Sequence, residues 1–328
     1  MKKFISISIC VLISAVFACR VATAEAPDRI RVVTANVGNA DLVNCGPKYL
    51  FKLCLVEWER KIADGIAALS PDIISLQEVY DIKWCEQKGI EKDAKKVCHN
   101  FRNREPLHQG RRLLGPEYTI VCDGRSNFEC LGVKISAGTI NGCPAGELCR
   151  EGVGLTHELP EGCEPYPVIF GADAVIHGVK MRIVNGHPAA SDRVCRAGAL
   201  TRMFEGYEDV PALAIADRPV LIMGDMNMDP YVGDPLKEDV AIWQKYVGGG
   251  KPFHYLSGIA EHQPPYPTNA GRAIDHMISN SLHGKCVTLG VAPGTARLDG
   301  LPAGKPITDG PDHNALLCDV ELPKADGK

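Results

Sequence analysis

The chain has 328 residues, of which 45% are hydrophobic and 23% charged, with 33 glycines and 23 prolines. These values are close to globular averages and exclude disordered and fibrous compositions. The length excludes a core too small to be stable, and it is compatible with one large α/β domain. A formal net charge of −4 argues against a uniformly basic surface that coats nucleic acid, although a local basic patch is still possible.

The first residues have the pattern of a secretory signal peptide. Lys2 and Lys3 precede an apolar run over residues 4–18, and Ala22-Thr23-Ala24 is a small-x-small cleavage pattern. That run is shorter than the ~20 residues needed to span a bilayer. We therefore predict that residues 1–24 are removed, that no stable transmembrane anchor is left, and that the protein is secreted or periplasmic. A lipoprotein cleaved before Cys19 is the alternative.

Removal of this segment changes both charge and cysteine content. It takes away three cationic residues and no acidic one, which leaves 33 Lys and Arg against 40 Asp and Glu, a net charge of −7. Of the 14 cysteines, Cys10 and Cys19 leave with the signal, and the even number left in an exported chain predicts up to six disulfides. Zinc binding is disfavoured because no C-x-x-C pair occurs. Cys85 with Cys98 and Cys143 with Cys149 are sterically plausible short-range pairs, and a Cys286–Cys318 pair would join two late strands, but the sequence does not determine the connectivity.

The first elements alternate strand, helix and strand. Residues 30–35 form a β-branched apolar run that predicts a buried strand ending at Asn36. Apolar residues then recur at three- and four-residue steps from Leu55 to Leu69, which predicts an amphipathic helix stopped by Ser70-Pro71. Residues 72–76 predict a second strand that ends in Gln77-Glu78. This order indicates a layered α/β fold.

The rest of the chain continues the pattern after two irregular segments. Residues 81–115 are basic, and we interpret them as a solvated, disulfide-pinned insertion, with a phosphate-binding lobe as the alternative. Residues 136–167 predict loops and short hairpins. A capped helix is predicted over residues 191–205. Strands are predicted over residues 168–176, 180–184, 219–223, 274–279, 286–291 and 315–322. No repeat or long linker divides the chain, so residues 25–328 are predicted to form one domain.

Several predicted strands end in a residue that can bind metal or transfer protons. In layered α/β folds such strand ends converge, because the sheet holds the loops rigidly. The segments are Thr34-Ala35-Asn36, Leu76-Gln77-Glu78-Val79, Val184-Asn185-Gly186-His187, Gly224-Asp225-Met226-Asn227, Ala273-Ile274-Asp275-His276 and Asp312-His313.

This ordered set resembles the endonuclease/exonuclease/phosphatase superfamily, which includes pancreatic-type deoxyribonuclease and neutral sphingomyelinases. The motifs extend from residue 34 to residue 313, and Gln77-Glu78-Val79 and Gly224-Asp225-x-Asn227 are the most specific. The resemblance implies a four-layer α/β sandwich, in which two packed mixed β-sheets are flanked by helices. It also implies metal-dependent phosphoester hydrolysis.

The chemistry of phosphodiester hydrolysis fits the same residues. A divalent ion offsets the charge of the phosphate and acidifies bound water, and Mg²⁺ prefers oxygen ligands. We predict Glu78, Asn36 and Asp312 as ligands of Mg²⁺, with Mn²⁺ or Ca²⁺ as alternative ions. Asp225 and Asn227 are predicted to hold the nucleophile and a phosphate oxygen.

Two histidines are predicted to transfer protons. A histidine side chain ordinarily titrates near neutral pH, so His187 and His313 are the acid–base candidates, and each needs a carboxylate to fix its tautomer. The resemblance implies Asp275 as the partner of His313 and Glu129 as the partner of His187, whereas we expect His276 to be structural. Asp225-x-Asn227-x-Asp229 is not an EF-hand, because Pro230 stands where that loop needs glycine.

The substrate is predicted to be a phosphoester, with nucleic acid preferred over phospholipid. The Gln77–Asp81 run, Glu129 and the basic stretch 81–115 favour a nuclease. A sphingomyelinase or phospholipase C-like enzyme is the alternative, which the Gln77–Asp81 run and export also fit, although the candidate loops show little of the aromatic clustering that entry into a bilayer needs. A third possibility is a non-catalytic, secreted binding module on this scaffold. We expect a monomer.

Overall fold

A computed structural model describes residues 27–38, 55–81, 95–101, 103–124, 128–150, 155–157, 161–163, 169–232, 237–258, 266–302 and 311–323. The predicted signal peptide lies outside these residues. No helix within these ranges has the length and apolar character needed to cross a membrane. The helices are α1 (Val56–Leu69), α2 (Lys95–Phe101), α3 (Gln109–Leu114), α4 (Arg193–Glu205) and α5 (Glu238–Tyr246).

The strands follow the predicted order, with additional short ones. They are β1 (Arg29–Asn36), β2 (Ile73–Gln77), β3 (Tyr118–Cys122), β4 (Cys130–Lys134), β5 (Gly138–Ile140), β6 (Leu148–Cys149), β7 (Leu155–His157), β8 (Ile169–Ile176), β9 (Val179–Gly186), β10 (Val220–Asp225), β11 (His254–Tyr255), β12 (Asp275–Ser279), β13 (His283–Thr288) and β14 (Leu316–Glu321).

These strands form two mixed sheets. The first sheet has the order β13-β14-β1-β2-β4-β3-β6, and the second has the order β11-β12-β10-β9-β8-β5, with β7 paired to β8. β1 is parallel to β2 and β9 is parallel to β10, whereas β14 and β12 join these pairs in the antiparallel direction. The predicted fold class, two packed mixed sheets flanked by helices, is confirmed.

Three hydrophobic clusters hold the layers together. The inner faces of the two sheets share one core, in which Val32 and Leu131 of the first sheet meet Phe170 and Leu221 of the second. α1 and α3 cover the outer face of the first sheet. α4 and α5 cover the outer face of the second sheet. Burial of apolar surface on both faces of each sheet fixes their mutual orientation.

The disulfides in the described part of the chain join neighbouring elements. The predicted pairs Cys143–Cys149 and Cys286–Cys318 are formed. Cys98 is also disulfide-bonded, but Cys85, its predicted partner, lies outside the described residues. Two further bridges, Cys122–Cys130 and Cys163–Cys195, had no distinguishing spacing in the sequence.

Candidate active site

The strand ends that carry polar residues meet at one edge of the sandwich. In the first sheet, Asn36 lies opposite Gln77 on the parallel pair β1 and β2. In the second sheet, Asp225 at the end of β10 lies opposite Asp275 at the start of β12. Because the two sheets pack face to face, these groups are close in space although they are far apart in sequence.

Asn36 connects the two sheets at this edge. Its Nδ2 donates to Glu78 Oε1 at 3.2 Å and to Asp225 Oδ2 at 3.1 Å. Its Oδ1 accepts from the backbone N–H of Gly38 at 2.9 Å. In this orientation Asn36 holds two carboxylates rather than offering its oxygen to a metal ion. Its role as a ligand therefore stays a prediction and requires the amide to turn.

His187 is held between carboxylates. Its Nδ1 donates to Glu129 Oε1 at 3.1 Å, and its Nε2 lies 3.7 Å from both Glu78 Oε1 and Asp225 Oδ2. Burial lowers the pKa of the imidazole, but the hydrogen bond to Glu129 and the charges of Asp225, Glu129 and Glu78 outweigh this effect, and the pKa is raised. The structure thus places Glu129 where it can fix the tautomer of His187.

His313 has a matching arrangement. Its Nδ1 donates to Asp275 Oδ2 at 2.8 Å, and its Nε2 lies 3.6 Å from Asp225 Oδ2 and 3.9 Å from Asp312 Oδ1. Burial opposes protonation, but the charges of Asp275 and Asp225 and the hydrogen bond to Asp275 raise the pKa of His313 to about 10. Burial alone would raise the pKa of Asp275, but the charge of His313, hydrogen bonds with His313 and Thr268, and the charge of His276 together lower it.

Asp225 is the point at which the two histidines converge. Its Oδ2 faces the Nε2 atoms of His187 and His313, and its Oδ1 accepts from the backbone N–H of Asn227 at 2.8 Å. The side-chain Nδ2 of Asn227 donates to Pro188 O at 3.0 Å. Asn227 has a φ of 51°, in the left-handed region where non-glycine residues are uncommon, and Glu78 has a φ of 58°. Such conformations cluster at functional sites.

A buried hydrogen-bond network lies directly beneath these groups. Gln77 Nε2 donates to Asn185 Oδ1 at 2.9 Å and to Ser75 Oγ at 2.8 Å. Asn185 Nδ2 donates to the carbonyl oxygens of Leu76 at 2.9 Å and Cys130 at 3.2 Å. We call Gln77 and Asn185 with these partners the inter-sheet network. It adjoins Glu78, Glu129 and His187 along the chain, and the sequence analysis gave neither Gln77 nor Asn185 a role.

The donor groups at this edge fit a divalent cation. Asp225, Asp275 and His313 each bring a ligand atom within 4.8 Å of the others, a group that differs from the predicted ligands Glu78, Asn36 and Asp312. Asp312 is nearby, and burial, together with the charges of Asp225 and Asp275, raises the pKa of its carboxyl despite the opposing effect of His313. Within the described ranges, the ion pairs of Asp225 and Asp312 are all with histidine. Such an excess of carboxylate oxygen suits a hard cation.

The sequence matches the Endonuclease/Exonuclease/phosphatase family over residues 33–304. The chain belongs to this family. Its members are metal-dependent phosphoester hydrolases, and the chain is an enzyme of that class. No curated protein sequence matches the chain.

Solved structures of this family share the fold. The human Nocturnin catalytic domain with bound sulfate is 16% identical, with 90% of this chain and 94% of that one covered and a TM-score of 0.52. Zebrafish (D. rerio) TDP2 complexed with a single-strand DNA product is 12% identical, with 90% and 100% covered and a TM-score of 0.52. A functionally unknown protein from Enterococcus faecalis V583 is 13% identical, with 89% and 99% covered and a TM-score of 0.54.

Proposed function

We propose that the protein is a secreted, Mg²⁺-dependent phosphodiesterase that hydrolyses nucleic acid. The observation that carries the proposal is the convergence of two buried histidines on one oxygen of Asp225, at 3.7 Å and 3.6 Å. Each histidine has a carboxylate at Nδ1, which leaves Nε2 as the reactive atom. Two such pairs provide one group to accept a proton and one to donate it.

In this proposal each residue of the site has its own role in the reaction. A bound divalent ion, held by Glu78 and Asp312 with Asn36 after its amide turns, supplies charge neutralisation at the phosphate. Asp225 orients the attacking water, and Asn227 contacts a phosphate oxygen. His187 and His313 transfer protons at Nε2, oriented by Glu129 and Asp275 respectively. Mn²⁺ and Ca²⁺ are the alternative ions.

Nucleic acid is the preferred substrate for two reasons. Zebrafish TDP2, which shares the fold, was solved with a single-strand DNA product. The exposed large hydrophobic residues of the described ranges are aliphatic, so no exposed aromatic cluster is available there to enter a bilayer. The second observation disfavours the sphingomyelinase alternative. These exposed residues are Leu107, Ile135, Val194, Ile215, Val232 and Val287.

A substrate panel tests this proposal. Purified protein is incubated with plasmid DNA, RNA and sphingomyelin in Mg²⁺, Mn²⁺, Ca²⁺ or EDTA. We expect DNA or RNA to be cleaved with Mg²⁺, and EDTA to abolish cleavage, because a bound cation would neutralise the charge that develops in the transition state and acidify the attacking water. Metal-dependent turnover of sphingomyelin alone would indicate the lipid phosphodiesterase, and no turnover of any phosphoester would indicate a binding module.

Secretion forms a separate part of the proposal. It is supported by the charged and apolar pattern of residues 1–24 and by disulfides such as Cys163–Cys195, which persist in oxidising compartments. Expressed in a bacterium with an intact export pathway, the protein should be found outside the cytoplasm and begin at Glu25. The intact mass of the isolated protein measures this. A cytoplasmic product that retains residues 1–24 would contradict the prediction, and a mass that begins at lipidated Cys19 would indicate the lipoprotein.

A further inference from the structure

A cavity outside the candidate active site lies on the side of the sandwich, where the edge strands of the two sheets come together. It has a volume of about 760 Å³ and is bordered by β11 of the second sheet and β13 of the first. We call it the edge pocket. Its lining includes the basic side chains Lys251, His254, His283 and Lys285. None of the catalytic or metal-binding residues proposed above lines it.

The edge pocket carries basic side chains, and Glu321 and Asp319 of β14 stand opposite two of them, His283 and Lys285, in the strand register. No aspartate or glutamate is among the described residues that line it. The nearest carboxylates in β14 have partners of their own, since Glu321 lies 2.6 Å from Arg29 and Asp319 lies 3.9 Å from Arg31. Lys285 stands opposite Asp319 in the strand register but forms no ion pair with any described residue. A cationic pocket in a chain of negative net charge favours an anionic ligand.

Two histidines connect the edge strands beside these lysines. The rings of His254 and His283 stack with centroids 4.7 Å apart and planes inclined by 20°. His254 Nε2 donates to Leu282 O at 2.7 Å, which leaves Nδ1 as its second polar atom. Burial, and then the charge of His283, lower the pKa of His254 despite that hydrogen bond. A bound anion beside the pair would oppose these two effects and favour protonation of His254.

The backbone adds donors at the pocket rim. Gly248 and Gly250 have φ values of 134° and 71°, conformations that favour glycine. A turn is closed by Lys251 N–H, which donates to Gly248 O at 3.1 Å. The N–H groups of Gly249 and Gly250 form no backbone hydrogen bond within the described residues. Exposed N–H groups of a glycine turn are common ligands of phosphate oxygens.

A short segment joins the edge pocket to the candidate active site. Tyr266, which lines the pocket, accepts a hydrogen bond through its backbone oxygen from Thr288 Oγ1 at 3.1 Å. Two residues later, Thr268 Oγ1 accepts from the backbone N–H of Asp275, the partner of His313. This segment therefore connects the lining of the pocket with the orienting partner of His313.

We propose that the edge pocket binds a phosphate group, through Lys251, Lys285 and the histidine pair, and that this group belongs to a nucleic-acid strand engaged at the active site. The phosphate chemistry follows from the cavity, the lysines that line it and the glycine turn. The identity of the strand rests on the proposed function. Free phosphate is the other source of the same chemistry, and the two are separated by experiment.

Binding of a fluorescein-labelled thymidine decamer in EDTA tests the proposal without turnover. The double variant Lys251→Gln/Lys285→Gln is compared with Lys61→Gln/Lys180→Gln, which removes the same charge from exposed positions elsewhere. We expect the edge-pocket variant to bind at least about fivefold more weakly than the control. The slope of log K against log salt should also fall by about 0.7, because each phosphate contact on a single strand contributes ≈ 0.7 and the pocket is proposed to hold one phosphate.

The source of the phosphate is resolved by titrating inorganic phosphate into the same proteins. The NMR readout is the ring signals of His254 and His283 in the wild type, because His187 and His313 respond to any strand at the active site. Shifts of the two pocket signals with the decamer but not with phosphate assign the pocket to the strand, and shifts with phosphate as well extend its ligands to the free ion. Equal affinity and equal salt slope in the two variants, with no shift of His254 or His283 in either titration, would overturn the proposal. Hydrolysis of bis(p-nitrophenyl) phosphate should be unchanged in the edge-pocket variant. A wild type that binds phosphate in the pocket but hydrolyses no phosphoester would contradict the proposed function alone.

Discussion

Replacing His313 with alanine is expected to lower kcat for phosphodiester hydrolysis by at least ~10²-fold, because general acid–base help is typically worth ~10²- to 10⁴-fold. The imidazole Nε2 faces Asp225 at 3.6 Å, and Asp275 fixes its tautomer through a 2.8 Å hydrogen bond. Steady-state kinetics on the substrate found in the panel measures the effect. KM should change much less than kcat, since the role is in proton transfer rather than in substrate binding.

A matched histidine variant controls for nonspecific effects. His99 is exposed on α2 and outside the candidate site, so His99→Ala should retain wild-type kinetics. Asp275→Asn keeps a hydrogen-bond acceptor but removes the charge that raises the pKa of His313. That variant should be less impaired than His313→Ala, and its pH–rate limb for His313 should move to lower pH. A loss below threefold in His313→Ala would remove this residue from the mechanism.

Buried strands were predicted well because burial on both faces leaves a continuous apolar run. The runs over residues 30–35 and 72–76 lie within one residue of β1 and β2. The bounds of the last strands were predicted less accurately. β13 begins at His283 rather than at Cys286, because an edge strand with one exposed face alternates polar and apolar residues and carries a weaker signal. β3 and β4 were not predicted, although β4 follows directly after Glu129.

The residue types at the site could be predicted from the sequence, but the orientation of their side chains could not. Residue types and their order after strands were enough to nominate Glu78, His187 and His313, which the structure brings to one edge. The direction of the Asn36 amide was not predictable, since it depends on the backbone N–H of Gly38 and on carboxylates from both sheets. Spacing in the sequence contains no information about such contacts. They are fixed only when the sheets pack.

Gln77 and Asn185 show more clearly that sequence spacing does not reveal contacts between distant residues. They are 108 positions apart, yet they form a hydrogen bond across the core. In the sequence, each is one more polar residue near a strand end. In the structure, both are fully buried between the sheets. A buried amide is costly unless it is hydrogen-bonded, so their pairing determines how the two sheets align beneath the site.

Replacing Asn185 with leucine is therefore expected to destabilise the protein by about 2–4 kcal/mol. The substitution leaves Gln77 Nε2 and the carbonyl oxygens of Leu76 and Cys130 without Asn185 as their partner, and unsatisfied buried groups cost about 1–3 kcal/mol each. Urea denaturation measures the free energy of unfolding. Asn141→Leu at an exposed turn is the control and should change it by less than about 0.5 kcal/mol.

The double variant Gln77→Leu/Asn185→Leu shows whether the two amides act as a pair. Because removing both partners leaves fewer unsatisfied groups than the two single changes together, its destabilisation should be smaller than the sum of theirs by about 1 kcal/mol or more. Activity under conditions where each variant is folded should still fall, since Glu78 and His187 are attached directly or through one residue to the inter-sheet network. Additive free energies with unchanged kcat would show that these amides neither couple the sheets nor position the site.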